Sequence, residues 1–409
     1  MIMSSDTAMP KAAAGAVSHT RALIAIVAVN FVSLAGFGLM FPVFAVHGRS
    51  IGASGWQIAS AAAVFSFGQF LSSPVWGKLS DKHGRRKSII ASLTAGALAY
   101  VLHIYATTPE TLLFARFLSG LATGGMAVAF AVASDISTPE TRTRIMGVVG
   151  SGFSLGFIFG PAIGGVAASL STESDGFTTV CIAGAAITLV SVAICWWALP
   201  ETRVLHRAQE GAPPPPKFSL RELPALRLPL AIGFLTAAAF AQLEATLTLF
   251  ADDVLHLRPF GIGLLFAGMG TVTTITQLTL TARIARSLGE RLMLGLAIAV
   301  MAGGFLFLGL AQGLPLALLG LFCTSTAFAL ITPALATLTS LAAPNEAQGA
   351  AQGAQQSTSA LGRVFGPAFA GMLYAAHGAS LPFHAGAAML AVTCVLVFVQ
   401  MASTRTRAA

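Results

Sequence analysis

The stretch Gly77-Lys-Leu-Ser-Asp81-Lys-His-Gly84-Arg85-Arg86-Lys87 packs five Lys/Arg and one Asp into eleven residues. Only 9% of the 409-residue chain is charged, and long apolar runs flank this knot on both sides. A basic knot between hydrophobic runs is the pattern of a short cytoplasmic turn joining two membrane helices. A positive anchor is the simplest reading of it. An anchor needs neither Asp81 nor the glycines Gly77 and Gly84, so a shaped turn is the stronger expectation.

Composition carries the membrane reading to the whole chain. Hydrophobic residues make up 55% of it, whereas a soluble protein keeps roughly 25% charged residues. The formal net charge of +8 is spread over many short loops, and three Tyr and four Trp form no stacking platform, so nucleic acid is not an expected partner. Cys181, Cys195, Cys323 and Cys394 lie inside apolar runs without CxxC spacing, which reads as small-hydrophobe packing rather than a metal site. No metal or other cofactor is expected. The first apolar run lacks a small-residue cleavage site after it and reads as a retained helix.

A spanning helix needs about 20 mostly apolar residues. Twelve segments qualify, at roughly 22–46, 56–77, 88–107, 111–134, 145–170, 177–199, 228–251, 260–281, 292–311, 314–338, 353–376 and 381–402. The stretch from Pro200 to Arg227, with prolines from Pro213 to Pro216, cannot bury a core and reads as a linker. The predicted fold is therefore an all-α membrane protein. It has a six-helix N-terminal bundle (1–199), a cytoplasmic linker (200–227) and a six-helix C-terminal bundle (228–409). With the N-terminus in the cytoplasm, 19 of the 23 Lys/Arg fall in inner segments. Arg49 and Arg258 lie in outer loops, and Arg116 and Arg363 inside spans. That asymmetry predicts both ends inside.

The two halves resemble each other. Leu155-Gly156-Phe-Ile-Phe-Gly160-Pro161-Ala-Ile-Gly164-Gly165 in span five aligns with Leu361-Gly362-Arg363-Val-Phe-Gly366-Pro367-Ala-Phe-Ala-Gly371 in span eleven. The opening motif has a worn copy at Ala282-Arg-Ile-Ala-Arg286-Ser-Leu-Gly289-Glu-Arg291, with Arg286 in the place of Asp81. Six plus six spans with matching motifs describe a duplicated transporter.

These motifs resemble those of the major facilitator superfamily, and within it the twelve-helix drug:proton antiporter branch that includes tetracycline efflux proteins. The opening motif is similar to the superfamily signature between spans two and three. Arg116-x-x-x-Gly120 in span four resembles the proton-coupling arginine motif. Gly152-x-x-x-Gly156-x-x-x-Gly160-Pro161-x-x-Gly164-Gly165 resembles the span-five motif that separates exporters from importers. The resemblance implies that Asp81 faces the N-terminal end of span eleven, where the helix dipole favours an anion. It also implies that Arg85 pairs with Asp135, and that the motif as a whole, with Arg86 and Lys87, latches the halves together while the outside is open. Tetracycline-type exporters carry an acid in span one. Here Val29-Asn30-Phe31-Val32-Ser33-Leu34 has none, which argues against tetracycline and moves the expected proton carrier elsewhere.

Spacing gives span five its own rationale. Glycines at 152, 156, 160 and 164 share one helix face and let a neighbouring helix approach, while Pro161 removes a backbone hydrogen bond and invites a bend. A hinge or seal is expected, with plain small-residue packing as the alternative. Ionisable residues inside spans are costly and usually functional. Glu244 in span seven is the one carboxylate well inside a span and is the first candidate for a proton or cationic-substrate site. Arg363 is its expected partner, or else a contact to an anionic substrate group. Arg116 is a coupling candidate, with snorkelling to the outer surface as the alternative. Gln242 and Asn30 are polar candidates for the same cavity, or else helix-to-helix glue.

The expected function is secondary transport, exporting a small amphipathic compound in exchange for protons by alternating access. The alternative is a same-fold transporter of a lipid-like or anionic metabolite. There is no GxxxxGK[ST] loop for ATP. No clustered ligands or nucleophile–base set suggests an enzyme, and no filter motif suggests a channel. The expected partners are the substrate, protons and the lipid of a bacterial inner membrane, with the chain working as a monomer.

Overall fold

The computed structural model describes residues 11–137, 142–171, 176–202, 224–343 and 348–406. The body of the expected linker, 203–223, lies outside the described residues, as do the side chains of Arg142 and Arg144.

All regular structure among the described residues is helical. The N-terminal half comprises α1 (Lys11–Leu39), α2 (Phe41–Ser50), α3 (Gly55–His83), α4 (Arg85–Ile104), α5 (Pro109–Thr123), α6 (Met126–Asp135), α7 (Arg142–Ser169) and α8 (Phe177–Ala198). The C-terminal half comprises α9 (Arg227–Asp253), α10 (Pro259–Thr279), α11 (Thr281–Leu288), α12 (Glu290–Leu310), α13 (Leu314–Leu341), α14 (Gln348–His377) and α15 (Ser380–Thr406).

Local chemistry explains the breaks. Pro42 sits in the first turn of α2, where its missing N–H costs no hydrogen bond, so the first span is divided at Met40. Gly124 and Gly125 divide the fourth span between α5 and α6, where Ser92 of α4 donates to the carbonyl of Ala122 at 2.7 Å. Gly84 ends α3 with φ +102°, and Gly289 ends α11 with φ +76°. The two copies of the basic motif thus turn alike, each at a glycine in a region that side-chain-bearing residues avoid. In the second half the copy becomes a separate short helix, α11.

All twelve expected spans are helical, but they are not equally apolar. Among the described residues, ten helices are long and apolar enough to cross a membrane. In span five only Leu155–Ser169 stands out as a shorter apolar helix. In span eleven, α14 begins with a glutamine- and serine-rich stretch. The reason is its position: α14 packs on α9 and α3 in the interior. Its polar groups find protein partners there. Gln352 donates to the carbonyl of Ala336, and buried Gln355 accepts from Thr339. Toward the outside the reverse holds: Leu170, Trp197, Leu278 and Leu341 are exposed apolar side chains of the kind that lipid covers.

The packing repeats in the two halves. Helix α1 lies against α7 as α9 lies against α14, and α4 against α8 as α12 against α15. Between the halves, α7 meets α10 and α3 meets α14. Phe41 belongs to the core of the C-terminal half and Leu249 to that of the N-terminal half, so the two cores interlock.

Candidate functional site

The glycine face of α7 is seated on the backbone of α1. A methyl group added to Gly152, Gly156 or Gly160 would come within 2.5 Å of the carbonyl oxygens of Val27, Phe31 and Ala35 respectively, and one on Gly164 would strike that of Leu39. The second half repeats this seam, with Gly362 and Gly366 of α14 set on Phe234 and Ala238 of α9. These faces seal each half internally. Gly165 differs. It faces Phe260 and Gly263 of α10, and Gly263 in turn approaches the carbonyl of Pro161, so the contact between the halves begins there.

The halves touch most closely on the face opposite the basic motif. Arg49 at the end of α2 donates to Asp252 at 2.6 Å and also pairs with Asp253, both at the end of α9. Phe41 stacks on Phe266 with ring centres 4.6 Å apart. Gly55 of α3 lies under Tyr374 of α14, and Gly371 of α14 against Trp56 and Ala59. On the basic face, Gly77 has open space around it, and Asp81 is 66% exposed, with Arg85 as its partner among the described residues. Among the described residues no ion pair joins the halves there. Among the described residues, the ion pairs between the halves lie on the face opposite the basic motif.

The motif itself is a cage around Arg85. Its guanidinium meets Asp135 of α6 at 3.0 Å, Ser80 at 2.7 Å and Asp81 at 2.5 Å. Sequence reasoning missed the far wall of this cage. Glu201 accepts from the backbone N–H of Arg85 at 2.8 Å and of Arg86 at 3.3 Å, capping α4, and Thr202 donates to Asp135 at 3.1 Å. Arg86 also donates to the carbonyl of Trp196, and Lys87 is exposed. Residues assigned to the start of the linker are therefore part of the motif. The signal for this was an acid standing alone at the end of span six.

Inside the membrane region, Glu244 is buried on α9 and lies within electrostatic reach of Arg363 on α14. They form no ion pair within 4.0 Å, and neither side chain hydrogen-bonds to any described residue. An acid and a base thus lie near each other in the C-terminal half without a direct ion pair. One turn below Glu244, Phe240 stacks on Phe328 at 3.8 Å and lies 6.0 Å from Phe157 of the other half. This aromatic wall bridges the halves beside the charges.

The remaining candidates lie elsewhere. Gln242 donates to the carbonyl of Pro382 and ties α9 to α15. Asn30 is fully buried and donates to the carbonyl of Val149 at 3.1 Å, tying α1 to α7. Each thus ties two helices together. Arg116 sits in the N-terminal half over the rings of Phe44 (4.6 Å) and Phe65 (6.0 Å) and is 4% exposed, so it does not snorkel to a surface.

Comparison with known proteins agrees with this architecture. The sequence profile of the Major Facilitator Superfamily matches residues 26–366 and 253–408. The chain is 29% identical to Multidrug resistance protein 2 of Bacillus subtilis (strain 168), over 84% of this chain and 86% of that protein. It is 28% identical to the class B Tetracycline resistance protein of Escherichia coli, over 90% of this chain and 92% of that protein. The crystal structure of the human organic anion transporter MFSD10 superposes with a TM-score of 0.66 at 23% identity, covering 93% of this chain and 99% of that one. With its helices in two matching halves, its basic motif turning at Gly84 and a family profile spanning most of its length, the chain is a multi-pass membrane transporter of the Major Facilitator Superfamily, similar within it to the drug:proton antiporters.

Proposed function

We infer that the protein exports a small amphipathic compound in exchange for protons. The observation that carries this reading is the pair Glu244 and Arg363. A buried carboxylate with no hydrogen-bonding partner among the described residues, set near an arginine with which it forms no ion pair, can hold either a proton or a ligand but is not locked into a structural ion pair. The aromatic wall of Phe240, Phe328 and Phe157 beside it suits an apolar body. Similarity to proteins named for multidrug and tetracycline resistance supports export, and the absence of an acid in span one argues against tetracycline itself.

With the basic face and both termini in the cytoplasm of a bacterial cell, the contacts of Arg49 with Asp252 and of Phe41 with Phe266 lie toward the outside, which supports loading from inside. Asp81 then stands free of span eleven, and it would engage the N-terminus of α14 when the molecule rocks outward. The glycine seams of α7 on α1 and α14 on α9 let each half move as one body, meeting the other at Gly165 and Gly263.

The direct test uses inside-out vesicles acidified within. Adding a transported compound should raise the internal pH, and Glu244→Gln should abolish that rise. Substrate movement without any proton movement would refute the exchange. Arg363 and the similarity to a human organic anion transporter favour a second reading, in which an anionic metabolite is the cargo. Saturable transport of organic anions, with no transport of cationic dyes, would select it.

A further inference from the structure

The mechanism above leaves one buried cation unused. Arg116 has no carboxylate partner among the described residues: its guanidinium faces aromatic rings and its Nε has no hydrogen-bond partner. Ring faces alone compensate poorly for the removal of a guanidinium from water. A second unsatisfied atom lies beside it. His103 is 1% exposed, and its Nδ1 lies 2.7 Å from the carbonyl of Ala99. A carbonyl only accepts, so Nδ1 carries the proton and Nε2 is left as a buried lone pair, also without a partner.

Arg116 and His103 border one cavity of about 50 Å³, shared with Ser33, Tyr100, Phe37 and Phe65. One water needs about 10–15 Å³ on this measure, so the space takes a head group of a few atoms and not a whole drug. The two orphaned groups are complementary: a cationic donor and a neutral acceptor. A halide could serve the first but not the second. A carboxylate with an adjacent hydroxyl or N–H serves both, because a guanidinium fork matches a carboxylate. Phe37 lies 4.8 Å from Phe41, which stacks on Phe266 of the other half, so rings continue from this cavity to the seam between the halves.

We propose that the cavity at Arg116 and His103 is a head-group site for an amphipathic organic anion, a carboxylate bearing a neighbouring hydrogen-bond donor. The carboxylate sits on Arg116, the adjacent donor reaches Nε2 of His103, and the apolar body lies along Phe37 and Phe65. This rests on the reading of the protein as a transporter of small amphipathic compounds, and it narrows that class to anions.

The test is equilibrium binding without any proton gradient, so it does not depend on coupling through Glu244. Thermal unfolding of the purified full-length protein in neutral detergent is followed with 3-hydroxy-2-naphthoate, its methyl ester, 2-naphthoate, sodium chloride, inorganic phosphate and phosphatidylglycerol. The hydroxy acid should raise the midpoint saturably, and the ester should bind at least about tenfold more weakly. Arg116→Gln should remove the effect. His103→Phe should weaken the hydroxy acid about tenfold while leaving 2-naphthoate, which lacks the hydroxyl, unchanged, a comparison that stands even if Arg116→Gln does not fold. Equal protection by acid and ester, protection by phosphate, chloride or the lipid alone, or unchanged binding in both variants would each overturn the proposal.

Discussion

At the scale of single residues, the structure separates charges that look alike in sequence. Arg85 and Asp135 form a nearly buried pair, with side chains 10% and 3% exposed. Removing Asp135 leaves Arg85 only the exposed Asp81 as a charged partner, so the cost approaches that of a broken buried pair, about 3–5 kcal/mol. Asp135→Asn should therefore lower the thermal unfolding midpoint markedly, whereas Asp81→Asn, at a position 66% exposed in this state, should barely change it. Measuring both by thermal unfolding in detergent checks the difference. The pairing of Arg85 with Asp135 was legible because the motif is. Glu201 was not, because its role arises only when the chain folds back 116 residues after Arg85. Asn30 and Gln242 were legible as polar residues inside spans. Their partners, however, are backbone carbonyls on other helices, which no spacing within one helix can reveal.

At the scale of elements, the recurrence of glycine every four residues in α7 identified a close-packed face. It could not say whether that face met its own half or the other. Elementary sterics now distinguish the glycines. An added methyl at Gly160 meets the backbone of Ala35, whereas nothing lies within 4 Å of one at Gly303 on α12. Gly160→Ala should destabilise by roughly 1–3 kcal/mol through overpacking. Gly303→Ala should be neutral or stabilise by up to about 1 kcal/mol through helix propensity. Unfolding midpoints of the two variants test this, and equal behaviour would refute the seam. Span eleven carries the converse lesson. Its helix was legible from its match to span five, but its polar first half was not explained until α13 supplied Ala336 and Thr339 as partners.

At the scale of the whole molecule, the duplication was legible, because it is a property of the chain as a string. The conformational state was not, because it depends on contacts between residues about 200 apart, such as Arg49 and Asp252. On the orientation proposed above, that cluster holds the outer face closed. Replacing Asp252 and Asp253 together with Asn should shift the population toward the outward-open form. The expected shift is roughly two- to tenfold, the size that two partly exposed ion pairs supply. It would be read as faster labelling of a cysteine at Phe41 by an impermeant maleimide, in a background without the native cysteines. Proton coupling through Glu244 is tested in reconstituted liposomes. Wild type and Glu244→Gln are reconstituted into liposomes, and each is assayed for accumulation driven by a pH gradient and for substrate exchange without one. The account predicts that Glu244→Gln keeps exchange and loses gradient-driven accumulation. Accumulation at the wild-type level in Glu244→Gln would contradict it.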